Sequence, residues 1–238
     1  MRRLTRATNI SGRLGAADYF KRYKKEKPQA LREIKVEEDQ TLKQITEAWK
    51  KFKPSTNEKK ARGKAKELLS NIRFTAKDIE KFSLALEAFQ DEKNFEWKAG
   101  YFLSVLISCC NDNDLTIHTY HLSVRINCPA YRNTKNVTIN GDVGIGIGDN
   151  MTQGRIIVKG NCGAYLGSNM KGGTVIVEGD VGSWAAVGMK GGVLHFNGDR
   201  TGFSKLFLRF SKYPQLDKVK IYHKGKLIWP ERSDTNDE

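Results

Sequence analysis

Only four cysteines, Cys109, Cys110, Cys128 and Cys162, occur in 238 residues. That is too sparse for a secreted scaffold held by disulfides, and an adjacent pair seldom bridges itself, so reduced thiols are expected. Long hydrophobic runs are lacking as well. The longest candidate, Tyr101 to Cys110, is about half of the ~18 residues that a membrane-spanning helix needs. The opening stretch MRRLTR is basic, but no apolar signal core follows it. These absences lead to the expectation of a cytoplasmic protein without a transmembrane segment. Also missing is a convincing set for nucleophilic or acid–base catalysis. No Ser/His/Asp or Cys/His combination and no carboxylate pair can be assembled from the spacing, so no activity of the chain's own is expected.

Acidic residues are in short supply in one part of the chain. Residues 1–75 hold 21 Lys and Arg against nine Asp and Glu, an excess of +12 out of the total +14. Such a segment attracts polyanions or acidic proteins through its net charge alone. Arg2, Arg3, Arg6, Lys21, Arg22, Lys24 and Lys25 are the candidate nucleic-acid contacts, with Tyr19 and Tyr23 available to stack on bases. A hydrophobic content of 39% is adequate for a core.

The stretch from Met1 to Gly15 shows little periodicity and reads as a basic arm. A short helix is expected from Ala16 to Lys27, ended by Pro28. Asp39 or Thr41 can cap a second through Lys51, with Leu42, Ile45 and Trp49 on one stripe, and Lys59 to Ile72 is a third. Thr75, with Asp78 three residues on, caps a helix carrying Ile79, Phe82, Leu86 and Phe89 on one face. Phe95 to Cys110 reads as a more buried helix through Trp97, Phe102, Leu103, Leu106 and Ile107. The expected organisation is a basic helical arm (1–74), a helical hairpin (75–114), a β-rich region (115–212), and a terminal hairpin with an acidic tail (213–238). VKIYHKGKLIWP supplies that hairpin, turning at His223 to Lys226.

What the chain has in plenty is glycine, 22 residues of it, placed with a period of 19. Gly141, Gly160, Gly179 and Gly198 are in register, as are Gly144, Gly163 and Gly182, then Gly148 and Gly167, then Gly154, Gly173 and Gly192. Met151, Met170 and Met189 keep the same step. A period of about 20 residues means stacked supersecondary units. Each unit opens with about four β-branched or apolar residues and then places glycine where the chain must turn. This is the pattern of a short parallel β-helix, a mainly β solenoid with 19-residue coils, preceded by an α-helical basic region. Val137, Ile156, Val175 and Leu194 form one inward ladder, and Ile139, Val158, Val177 and Phe196 a second. Val143, Cys162 and Val181 form a third and the methionines a fourth. His118 to Asn136 has the length of one unit without its glycines, a degenerate first coil that caps the stack. Ala186 stands where Gly148 and Gly167 stand, so that corner is expected to tolerate a side chain or to be locally altered.

Gly-Asp-Val-Gly, a further Gly, a Met and then Lys-Gly-Gly resembles the GXGXG repeat domain found in the glutamate synthase large subunit and in one of the subunits of formylmethanofuran dehydrogenase. The match covers residues 137–198. The resemblance implies a right-handed parallel β-helix with an architectural role, and an accessory place in a larger oxidoreductase or amidotransferase. It implies no reaction for this chain, and residues 1–110 match no part of those enzymes.

Several chemical readings are weaker than structural ones. Gly144-Ile-Gly-Ile-Gly148 has GxGxG rather than GxGxxG spacing and no helix after it, so corners are expected rather than a dinucleotide site. Asp142, Asn161, Asp180 and Asp199 form a ladder better suited to bonding turn amides than to calcium. His118, His121, Cys109, Cys110 and Cys128 fit no compact metal spacing, and neither metal nor cofactor is expected. The more telling anomaly is outward apolar residues. Ile157 and Ile176, flanked by Thr138 and His195, face away from the inward ladders and require cover, for which the N-terminal helices are the economical source. Tyr165 and Trp184 stack on another wall, next to Gly146, either as interface anchors or under tertiary cover from the C-terminal hairpin. These four are the candidate interface residues of a scaffold or protein-interaction module that docks a protein partner or a second copy. Accessory-subunit and nucleic-acid readings stand as alternatives.

Overall fold

The computed structural model describes residues 39–55, 57–199 and 218–229. The expected arm, the helix from Ala16 to Lys27, and all seven candidate nucleic-acid contacts from Arg2 to Lys25 lie outside the described residues.

Helices begin where capping chemistry allows. Asp39, rather than Thr41, accepts the Leu42 amide at 2.8 Å and opens α1 (Gln40–Lys51). Leu42, Ile45, Ala48 and Trp49 are its buried residues. Asn57 caps α2 (Glu58–Leu69), which stops short of the expected Ile72. Thr75 and Asp78 exchange hydrogen bonds in a capping box that starts α3 (Ala76–Ala85). A single 3-10 turn, Leu86–Phe89, carries the apolar face onward. α4 (Phe95–Cys109) follows Asn94, which sits in the left-handed region at φ 58° and makes no side-chain cap.

These helices close around Trp49. Its indole meets Phe82, Phe89, Phe95 and Phe102 at centroid distances between 5.5 and 6.1 Å. Its Nε1 donates to Glu92 at 3.1 Å, and the Lys98 ammonium lies 4.2 Å from the ring centroid while pairing with Glu92 at 2.6 Å. A buried lysine is tolerated there because an aromatic face and a carboxylate both compensate its charge.

The rest is a parallel β-solenoid. β1 (Asp114–His118), β2 (Asn136–Asn140), β3 (Arg155–Val158), β4 (Thr174–Val177), β5 (Gly192–Phe196) and β6 (Val219–His223) pair in chain order, and β7 (Lys226–Trp229) folds back antiparallel on β6. Asn136 stands beside Arg155, Arg155 beside Thr174, and Thr174 beside Val193, a constant step of 19. The first coil differs from expectation. It begins at Asp114 rather than His118, and Asp114 pairs with Asn136, so this coil is longer than those that follow.

The predicted inward ladders are observed and extend further. Leu115, Val137, Ile156, Val175, Leu194 and Ile221 align as one buried column, and Ile117, Ile139, Val158, Val177 and Phe196 as another. Val143, Cys162 and Val181 are joined by parallel bridges, and Met151, Met170 and Met189 are all buried. Burial in that apolar column pushes the Cys162 thiol up to about 12.

The helices meet the solenoid at one end. α3 packs on β1, and Ser83 Oγ accepts the His118 backbone amide at 3.0 Å, a bond that a further strand would otherwise take. His118 Nε2 lies 2.9 Å from Glu80 on the same helix. An open sheet edge is a template for aggregation, and a helix laid on it removes the hazard. One hydrophobic cluster runs from Trp49 through β1 into the coils. Among the described residues, no helix is long and apolar enough to cross a membrane.

Candidate docking surface

The corner after each coil's glycine-rich turn is where the backbone departs most from the ordinary. Three register columns lie in the left-handed region. Gly148, Gly167 and Ala186 have φ of 72°, 63° and 63°, Asn150, Asn169 and Gly188 have 55°, 51° and 66°, and Gly146, Tyr165 and Trp184 have 79°, 62° and 63°. Glycine reaches this region freely and asparagine fairly readily, but a bulky side chain there is a genuine outlier. The Ala186 corner therefore carries a side chain without a change of geometry. The neighbouring coils hold its dihedral angles, and the alanine bears the strain.

The third column is the informative one. Tyr165 and Trp184 keep a glycine conformation while exposing large aromatic side chains, 39% and 42% accessible. Their rings stack at 6.2 Å with planes 14° apart. The backbone holds them firmly, since Gly146 N donates to Ala164 O and Tyr165 N to Ser183 O, each at 2.9 Å. Ile145, beside Gly146, is 37% accessible. The first coil supplies Cys128 to this edge, at φ 54°, with its amide on Ile145 O at 2.8 Å. Its thiol is buried and pushed up to about 12.

The adjacent corner is tied down by polar groups. Arg62 of α2 donates to Ser104 Oγ at 2.8 Å and lies 5.5 Å from the Tyr131 ring centroid. Burial lowers the Arg62 pKa and raises those of the Tyr131 hydroxyl and the Asp149 carboxyl. Asn150 and Asn169 both donate to Asp149. This network anchors α2 to α4 and to the first coils, and it fixes the corner from which the aromatic edge projects.

The second predicted wall is less exposed. Thr138, Ile157, Ile176, His195 and Tyr222 form one outward column, each half-buried. His195 stacks on Tyr222 at 4.5 Å, and burial lowers its pKa. Among the described helices the packing against the sheet falls on β1, and the expected helix from Ala16 to Lys27, the other candidate cover for Ile157 and Ile176, lies outside the described residues.

The acidic ladder behaves as turn chemistry. Asp142 accepts the Asn161 amide, Asn161 the Asp180 amide and Asp180 the Asp199 amide, at 2.8, 2.8 and 2.7 Å. Gly144, Gly146 and Gly148 are stacked corners, with Gly163 and Gly182 continuing the first of them. Among the described residues, no three His, Cys, Asp or Glu side chains converge on a common point.

Sequence reasoning missed two features. Trp97, expected within the buried helix, is 37% accessible and pairs with Tyr101. The spacing of four was a signal, but a helix apolar nearly all round gives periodicity no face to select. His121 is buried with both ring nitrogens lacking a hydrogen bond, and burial lowers its pKa. Compared with family models, curated proteins and solved structures, the chain matches none.

Proposed function

We propose that this chain is a non-catalytic docking scaffold whose contact surface is the exposed edge formed by Ile145, Tyr165 and Trp184. One observation carries the reading. Two large aromatic residues occupy left-handed backbone positions at a strain of about 1–3 kcal/mol each, and that strain serves to expose rings rather than to fill a core. Strain held at an exposed site asks for a function, and aromatic anchors are the residues that dominate protein interfaces. The architectural role implied by the resemblance to the GXGXG repeat supports the same reading, including a place as accessory subunit of a larger enzyme.

The test uses a photo-crosslinking amino acid at position 184 in the native host, with position 159 on another wall as control. A discrete protein adduct specific to position 184 is the expected result. Nucleic acid as the sole adduct, or equal labelling at both positions, would overturn the proposal.

A further inference from the structure

The half-buried column of Ile157 and Ile176 runs between two columns that carry charge. One holds Asp114, Arg155, Thr174 and Lys220 in register. The other holds Asn140, Lys159, Glu178 and Asn197. Its register is fixed by the backbone, since the amides of Lys159, Glu178 and Asn197 donate to Ile139, Val158 and Val177 O at 2.9, 2.9 and 3.0 Å. Asp114, Arg155, Lys159, Glu178 and Lys220 are all exposed. Among the described residues none of the five enters an ion pair, although Lys159 and Glu178 stand one strand spacing apart. The wall therefore has an apolar centre that requires cover and charges of both signs that remain available.

This pattern complements itself in one orientation. A second copy can be turned over about an axis parallel to the strands and midway between β3 and β4. Lys159 then faces the partner's Glu178, Asp114 the partner's Lys220, and Ile157 the partner's Ile176, each contact occurring twice as in any isologous interface. Arg155 faces the partner's Thr174, and Asn140 the partner's Asn197. At the ends of the wall, His118 and Lys224 are held by Glu80 and Asp199 of their own chain. Other axes bring like charges together. An axis through β3 or β4 sets Lys159 on Lys159 or Glu178 on Glu178, and an axis parallel to the solenoid sets Arg155 on Lys159.

We propose that this wall is the interface of a homodimer whose solenoids run antiparallel. Six strands and about five residues per strand give each wall roughly 450 Å2. The two walls together bury about 900 Å2, below the ~1,200 Å2 of a standard interface, so the association is weak and reversible. Repulsion in the wrong registers supplies its specificity. The edge of Ile145, Tyr165 and Trp184 lies on another wall, and the dimer does not rest on it. A photo-crosslinker at position 159 accordingly gives the chain's own dimer, distinguished by mass from an adduct at position 184.

The test is sedimentation velocity on the full chain from micromolar to millimolar concentration. The chain is expected to shift reversibly towards twice its mass. Lys159→Glu and Glu178→Lys each place like charges at both paired contacts, and each is expected to weaken association about tenfold or more. The double variant carrying both changes is expected to associate as the unaltered chain does. An equimolar mixture of the two single variants is expected to recover association too, because every pair across the interface is then Glu with Lys. Recovery between two separate chains is independent of either variant's fold, which melting midpoints report. A chain that stays monomeric throughout, tighter association of Lys159→Glu, or a mixture no better than its separate components would overturn the proposal. A different protein as the natural occupant of this wall gives the first of these outcomes.

Discussion

The helical end and the solenoid bury comparable side chains in opposite ways. Around Trp49 every contact is unique: four phenylalanines, Lys98 and Glu92 meet a single indole, and nothing repeats. In the coils each buried residue touches its own equivalents above and below, so Ile156 faces Val137 and Val175 in a column of similar shapes. A unique cluster concentrates stability in a few side chains, while a repeating stack spreads it over nearest-neighbour steps. The first arrangement fails at a point and the second by degrees.

Substitution at Trp49 breaks the comparison most sharply. Trp49→Ala is expected to cost about 3–5 kcal/mol through the cavity it leaves, read as a lowered urea midpoint with loss of the helical signal first. A Trp49→Ala protein that melts in one step with the wild-type midpoint would show that the helices do not depend on this cluster. Next comes the seam between the regions. Ser83→Ala leaves the His118 amide buried without its acceptor, an expected loss of about 1–3 kcal/mol, accompanied by faster amide exchange at His118 and its β1 neighbours.

Within the solenoid the expected effects are smaller and one changes sign. Ala186→Gly relieves left-handed strain at the cost of a more flexible unfolded chain, a net gain of about 1 kcal/mol or less. The reverse change, Gly148→Ala, should lose stability in the same denaturation series, and a gain there would break the corner argument. Acid sensitivity should be the mildest effect at neutral pH. His121 has its pKa lowered by burial from 6.5, so the folded state binds fewer protons than the unfolded state. Its contribution is complete above that ordinary value and is lost as pH falls from there through the lower folded-state value. Glu87 opposes the burial effect and His118 reinforces it. His121→Phe should flatten the fall in melting temperature between about pH 7 and about pH 5, whereas an unchanged slope would assign the sensitivity to other groups.

Much of this was legible in the sequence, for identifiable reasons. A 19-residue step forces equivalent residues into hydrogen-bonded register, so the ladders from Val137 to Leu194 and from Ile139 to Phe196 could be written down directly. The capping signals at Asp39 and Thr75 mark where two helices begin, and the Thr75–Asp78 box was visible as a pair of letters, whereas the Asn57 cap was not read. The Asp142 ladder was legible as turn chemistry because short polar side chains recur beside corner glycines. Other features depend on tertiary structure. The longer first coil has no repeat to set its length. The docking of α3 on β1 rests on Ser83, one hydroxyl with no pattern around it. Tyr165 and Trp184 were recognisable as a stacked pair, but their left-handed backbone was concealed because only Gly146 retains the residue type that announces it.

The ladder of Asp142, Asn161, Asp180 and Asp199 has a cation at each end. Arg125 pairs with Asp142 at 2.6 Å, and Lys224 of the β6–β7 turn with Asp199 at 3.1 Å. Between them each ladder side chain accepts the amide of the next coil while its own amide donates to the side chain of the coil before, so an inner coil repeats the connections of its neighbours. Such a coil is a removable unit. Duplicating or deleting one changes the length of the stack by one strand spacing, about 4.8 Å, and leaves the helical end, the hairpin and both terminal cations as they were. The molecule is in this sense an adjustable ruler with fixed end-pieces, and the distance between its two ends is a quantity that evolution can alter by whole coils without redesigning either terminus.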